Sequence, residues 1–544
     1  MRNSKRRIIR PKADFFWLSL DFIPPEQPVR VSWLRARIEP PPPLSIAEFV
    51  HTLDRLGNDE RTKGVILEIQ TELPFATTRS IMDHLANFQK QGKKVIAFAT
   101  YYSLPTYWLA SVSSQVTVQY QGYLWIRGLY SSQTFMGDFL KKYGFQLEKM
   151  AVSPYKSALD DFAQSDIAPE AKENREALFG SIFDSIVRDI ASNRGLSDEH
   201  VRQAIDQAPL TPEQALERKL IDHKIAAEEL PRLVAKSRKP ARIRRFDQAL
   251  QATFIPAKPS MKKVVAVIPV LGIIVDGKSR EAPRGVPIPF GGKQAGDHTI
   301  VPLIRGALAS SRVAAGILYI DSRGGSATAS ESIRLALEEF ASRKPLVAYF
   351  SNVAASGGYD IATPAQYIVA QPQTITGSIG VLNAKFNFHG FLKKQQLKTA
   401  EFKFGERADW MAPTKPLGDE ERRVLTELVF YTYEYFLESV AKSRKLDKEY
   451  LRENLAGGRV WTGAQAVENG LVDELGNLQT AVKKARELAN LKPDSGIVSF
   501  QPSKKPLVPL SIKAPDLSEY AMIFQSLSNT QIWMIEPDIP VDNL

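Results

Sequence analysis

The chain repeats itself at a spacing of about 250 residues, which rules out a single-domain fold. LTPEQALERKLID at 210–222 is matched by WTGAQAVENGLVD at 461–473, with Thr, Gln, Ala, Glu, Leu and Asp in common 251 positions apart. The strand-like runs KKVIAFA at 93–99 and KPLVAYF at 344–350 keep the same spacing, Lys93 against Lys344. Tyr107 of TYWLA pairs with Tyr359 of GYDIA one position further on. Segments that stay in register over such a distance mark an internal duplication.

Within each copy, strand-like and helical runs alternate. SIAEFVHTLDRL reads as a helix, KGVILEI at 63–69 as a buried strand, and SIMDHLANFQKQ as a second helix before KKVIAFA. In the second copy GILYIDSRGG at 316–325 precedes the helical SESIRLALEEF. This alternation predicts an α/β fold with parallel sheets and flanking helices. The expected layout is a basic, Pro-rich arm over 1–45, an N-terminal repeat over 46–229, a basic linker over 230–262, a C-terminal repeat over 263–490 and a C-terminal extension over 491–544.

Composition narrows the chemistry. The chain has no cysteine, which excludes thiol catalysis, zinc-thiolate sites and disulfides. Its six histidines lack metal-ligand spacing, and neither a metal nor a cofactor is expected. The net charge is +11, with six basic residues in 1–12 and seven in 230–246. Such blocks suit nucleic acid, an anionic membrane surface or plain solvent. No basic stripe is interleaved with aromatics as in single-strand binders, so no nucleic-acid partner is expected. The apolar run VVAVIPVLGIIV at 264–275 is interrupted by Pro269 and Gly272 and too short to span a bilayer. FFWLSL at 15–20 is too short for a secretory segment and, beside its basic flank, suggests contact with a membrane interface. With no transmembrane helix or secretory signal evident, peripheral membrane association or a cytoplasmic location is expected.

The segment SNVAASGGYDIA at 351–362 follows a strand and places Ser356 before Gly357 and Gly358. A nucleophilic serine needs a sharp strand-to-helix turn, and small neighbours let a substrate backbone approach. The Gly357 N–H at the helix start suits a developing oxyanion. A plain helix start reads equally well on this stretch alone. Counted from the tyrosine pair, Ser356 falls on Leu104 in the first copy. Lys156, in SPYKSALDDF, falls on Arg407 in the second, and arginine stays protonated. One copy therefore holds a nucleophile and the other a base. SRGGS at 322–326 reads as a tight turn without the lysine of a phosphate loop. TGSIG at 376–380 reads as support for a sheet edge.

YKSALDDF around Lys156, SRGGSATASESI at 322–333, AASGGYDIA around Ser356, TGSIGV at 376–381 and WTGAQAVENGLVDELG at 461–476 together resemble the S49 family of serine proteases. The likeness is to the signal peptide peptidase A type in its long two-repeat form, over about residues 46–490. It implies a tandem duplication of a crotonase-like/ClpP-like domain. It also implies Ser356 as nucleophile, Lys156 as general base, and Gly324, Gly325 and Gly357 as the oxyanion hole. The substrates implied are short, largely apolar peptides such as cleaved signal peptides. The assembly implied is a homo-oligomer, a tetramer, with peripheral membrane contact. Arg323 stands where the family usually has proline, and Asp360 where an aromatic is common; the N-terminal membrane anchor frequent at this length is not evident. A catalytically inactive membrane-surface scaffold of the same fold, and a crotonase-type acyl-CoA enzyme, are the competing readings.

A Ser–Lys dyad sets a structural condition. Free lysine, with a pKa near 10.4, is charged at neutral pH, and burial favours its neutral form. Lys156 must therefore sit in a dry site, with Asp160 and Asp161 turned away.

Overall fold

The computed structural model describes residues 13–26, 28, 42–152, 154–235, 238–253, 260–281, 292–501 and 533–535. The basic residues 1–12 and most of the Pro-rich stretch to 41 lie outside the described residues. The chain divides into two units. Within the described residues the first holds the chain up to 130 and 182–253, and the second holds 131–181 and 260–535. Residues 131–181, read from sequence as part of the first repeat, thus fold with the second.

The first unit is built on a six-stranded sheet in the order His223–Lys224, Gln115–Trp125, Lys94–Ser103, Gly64–Ile69, Phe15–Leu20, Ile243–Arg245. Every pairing in it is parallel. The helix Ile46–Gly57 starts at a Ser45–Glu48 capping box and buries Ile46, Phe49, Val50, Leu53 and Leu56. Two sequence expectations change here. FFWLSL is an internal strand with Phe15, Phe16, Leu18 and Leu20 buried, because a sheet covered on both faces needs apolar side chains on each. The basic stretch after residue 230 contributes the edge strand Ile243–Arg245 and the buried Leu230 and Phe246.

The second unit carries two sheets. The larger runs Val460–Thr462, Ile375–Gly377, Leu346–Ala355, Val313–Ser322, Ser260–Leu271, Ser495–Ser499, with Tyr367–Ala370 and Glu474–Leu475 beside it. Its pairings are parallel except Ile375–Gly377 with Val460–Thr462. Helices Asp297–Ala309 and Ala327–Ala341 bury Ile304, Ile333, Leu337 and Phe340 in the same core as Ile268, Leu318 and Phe350. The smaller sheet runs Arg280–Glu281, Lys293–Gly296, Ile273–Val275, Gly324–Ser326, Trp533–Ile535, Leu382–Asn387, Gln146–Ala151.

The duplication is visible in individual bonds. Tyr107 Oη donates to the Leu220 carbonyl at 2.7 Å, and Tyr359 Oη to that of Leu471 at 2.7 Å. The N–H of Val116 donates to Asp222, and that of Ile368 to Asp473, each at 2.7 Å. Thr211–Gln214 and Thr462–Gln465 form equivalent capping boxes. The ammonium of Lys93 caps two carbonyls, and that of Lys344 caps three. The shared sequence is thus spent on shared scaffolding.

Candidate active site

Strand Leu346–Ala355 ends at Ser356, and helix Gly357–Asp360 begins directly after it. Ser356 makes the turn with φ 55° and ψ −119°, a conformation L residues avoid and that costs about 1–3 kcal/mol. The turn is held by the Ser356 N–H, which donates to the Gly377 carbonyl at 2.8 Å. The side chain is fully buried, and its hydroxyl also lies 3.4 Å from the Gly380 carbonyl.

Lys156 reaches this hydroxyl from the segment shared with the smaller sheet. Its Nζ lies 2.7 Å from Ser356 Oγ, and only 3% of the residue is exposed. The same amine donates to Ser378 Oγ at 3.0 Å and to the Ser378 carbonyl at 3.1 Å. Several bonds pin the segment. Strand Gln146–Ala151 pairs antiparallel with Leu382–Asn387. The Val152 N–H donates to Val381, and that of Tyr155 to Gly457, each at 3.0 Å. Downstream, the Asn174 amide brackets the Val460 backbone at 2.8 and 2.9 Å. Gly458, at φ +88°, is required by the close approach: a Cβ there would stand 2.5 Å from the main-chain nitrogen of Lys156.

The acids near Lys156 have other partners. Asp160 forms an ion pair with Lys149, whose ammonium also donates to the Lys156 carbonyl at 2.8 Å. Burial pushes the Asp160 carboxyl up, against the pull of Lys149. Asp161 is likewise pushed up by burial, against its own and the Phe162 backbone N–H and, more weakly, the charge of Arg175. Asp360, on the helix after Ser356, is driven up to about 7 by burial, with Arg334 opposing and Glu331 reinforcing the shift.

The structure brings Gly324 and Gly357 together: a Cβ on Gly324 would lie 2.6 Å from the Gly357 nitrogen. The Gly357 N–H opens a helix and has no acceptor within it. The Gly324 N–H donates to Ser322 Oγ at 3.1 Å, and Gly325 continues the same short strand. Arg407 lies apart on the surface, paired with Glu420 at 3.0 Å and stacked on Trp410. Ser378 and Lys149 were not singled out from sequence. Ser378 stood in view, flanked by glycine in TGSIG and now found at φ 49°; Lys149 carried no local signal. Among the described residues no cluster of three or more His, Asp or Glu could hold a metal.

A duplicated parallel α/β chain whose strained, buried serine meets a buried lysine has the form of a serine protease. The comparisons with known proteins agree. The model of peptidase family S49 matches residues 87–239 and 338–492, two segments that fit the two-repeat form. "Protease 4" of Haemophilus influenzae is 31% identical over 489 residues, covering 85% of this chain and 75% of the relative. "Protease 4" of Salmonella typhi is 31% identical over 466 residues, covering 82% and 72%. "Serine protease SPPA, chloroplastic" of Arabidopsis thaliana is 27% identical over 450 residues, covering 82% and 66%. The chain belongs to peptidase family S49 and is a serine protease.

Proposed function

We propose that the protein is an endopeptidase with a Ser356–Lys156 dyad that degrades short, largely apolar peptides such as cleaved signal peptides. The observation that carries this reading is the 2.7 Å contact between Lys156 Nζ and Ser356 Oγ inside a buried site. In its neutral form the Lys156 amine takes the hydroxyl proton as Ser356 attacks the peptide carbonyl. The oxyanion is received by the Gly357 N–H with the Gly324–Gly325 segment, where losing one donor costs about 3 kcal/mol of barrier. The Lys156 ammonium then protonates the leaving amine, and water releases the acyl group by the same route in reverse. Ser378 acts as a positioning residue, holding the amine toward Ser356.

Phe402 and Phe404 are 89% and 93% exposed, and a second copy of the chain is the partner assigned to them. Contact with a membrane surface is peripheral in this reading, and no described helix is long and apolar enough to cross a bilayer.

The test is intact-mass analysis after treatment with a fluorophosphonate, on wild type, Ser356→Ala and Lys156→Ala. One adduct on wild type and none on either variant is expected. Labelling that survives Lys156→Ala would remove the lysine from the mechanism.

A further inference from the structure

Lys156 and Ser378 meet at the amine although they stand 222 positions apart, and one short segment holds the backbone of both. The Arg459 carbonyl accepts the Ser378 N–H at 2.7 Å. The Gly458 N–H donates to the Ile379 carbonyl at 2.9 Å, and the Gly457 carbonyl accepts the Tyr155 N–H at 3.0 Å. Gly457–Arg459 thus joins the residue before the dyad lysine to the serine that holds its amine.

The Arg459 side chain joins the same two parts a second time. Its guanidinium carbon lies 4.9 Å from the ring centre of Tyr155 and 4.9 Å from that of Trp461. Nη1 reaches Tyr155 Oη at 3.4 Å, and Nη2 donates to Glu173 at 2.9 Å. Tyr155 immediately precedes Lys156. Trp461 lies in strand Val460–Thr462, which pairs with Ile375–Gly377 directly before Ser378. A flat guanidinium stacks on rings and still donates from its rim, which an ammonium does not. Stability does not account for the arrangement. The Glu173 side chain is 57% exposed, and an ion pair left in water contributes little to folding.

The duplication supplies an internal control. Trp461 falls on Leu210, so Gly457, Gly458 and Arg459 fall on Asp206, Gln207 and Ala208. The first copy keeps the Thr211–Gln214 cap, and its Leu124–Leu210 bridge corresponds to the pairing of Ile375–Gly377 with Val460–Thr462. It has neither the glycine pair nor the arginine. What both copies share builds the scaffold, and what only the second carries lies against the lysine segment.

We propose that Arg459 is a positioning residue for the general base. Through Tyr155 and Ser378 it fixes the backbone on either side of the Lys156 amine and so keeps that amine on Ser356. The proposal rests on the dyad reading above.

The experiment uses the full chain and reads kcat and KM on a fluorogenic apolar peptide together with the rate of fluorophosphonate labelling. Arg459→Gln is expected to lower kcat and the labelling rate about 10- to 100-fold while KM stays within about twofold. Arg459→Lys keeps the charge without the plane and is expected to recover only part of the loss. Tyr155→Phe keeps the ring and is expected to stay near the wild-type rate, whereas Tyr155→Ser is expected to match Arg459→Gln. The double variant Arg459→Gln/Tyr155→Ser is expected to be no slower than either single one, because two residues acting through one contact do not add. Both side chains are half-buried, and Tm is expected to stay within a few degrees in every variant. A wild-type kcat in Arg459→Gln, a raised KM at unchanged kcat, or losses that multiply in the double variant would each overturn the proposal. Labelling that persists in Lys156→Ala would instead remove the dyad and the arginine's role with it.

Discussion

Lys149 donates a hydrogen bond at 2.8 Å to the main-chain carbonyl of Lys156, so one lysine holds the backbone from which the other projects. The same ammonium pairs with Asp160, and so engages a carboxylate that lies close to Lys156 in sequence. The two functions separate in a double variant. Lys149→Met leaves a part-buried Asp160 without its cation, at a cost below the roughly 3–5 kcal/mol of a fully buried broken pair. Adding Asp160→Asn is expected to restore most of the stability seen in urea unfolding. It is not expected to restore the labelling rate of Ser356, since a misplaced amine costs roughly a hundredfold. Recovery of both together would make Lys149 structural only.

Ser378 contacts the Lys156 amine through both its hydroxyl and its carbonyl, at 3.0 and 3.1 Å. Ser378→Ala removes only the hydroxyl contact. A fall of roughly 10- to 100-fold in kcat with little change in KM is expected, as orientation of the base is lost while peptide binding is untouched. Ser378→Thr retains a hydroxyl and is expected to recover part of the rate. An unchanged kcat in Ser378→Ala would show that the carbonyl alone orients the amine.

Asp360 supplies a pH dependence that comes from folding and not from the reaction. Its carboxyl is raised from 3.8 to about 7 by burial, against the charge of Arg334 and with that of Glu331. Between these values the folded chain holds a proton that the unfolded chain releases. The contribution of this group is therefore fully present below the unfolded value and is lost as pH rises through the folded one. In Asp360→Asn that loss disappears. The Tm difference between variant and wild type is expected to grow from pH 4 to about 7 and then level off. A difference constant across that range would place the dependence on other groups.

Phe402 and Phe404 expose large apolar surface that ordinary monomers keep small. If they meet a second copy of the chain, Phe402→Ser/Phe404→Ser is expected to lower the mass found by sedimentation equilibrium while leaving Tm within a few degrees. An unaltered mass would show that these two side chains do not meet a second copy.

The sequence by itself determined the duplication, the parallel α/β class and the two residues that meet at 2.7 Å. Apolar strand-like runs, helical periodicity and a repeat offset are local or self-comparing signals, read without knowing what packs on what. The pairing of Ser356 with Lys156 was legible because each copy lacks what the other has. Only the tertiary structure decided that residues 131–181 join the second unit, where the Gln146–Ala151 strand completes a sheet edge. It alone put Lys149 against Asp160, Ser378 against the amine and Trp533–Ile535 against the glycine pair. It also turned FFWLSL from a surface segment into an internal strand. The reason is common to all of these. A strand edge or a buried ammonium is satisfied by whichever partner the fold brings within about 3 Å, and that partner's distance along the chain leaves no trace in local pattern.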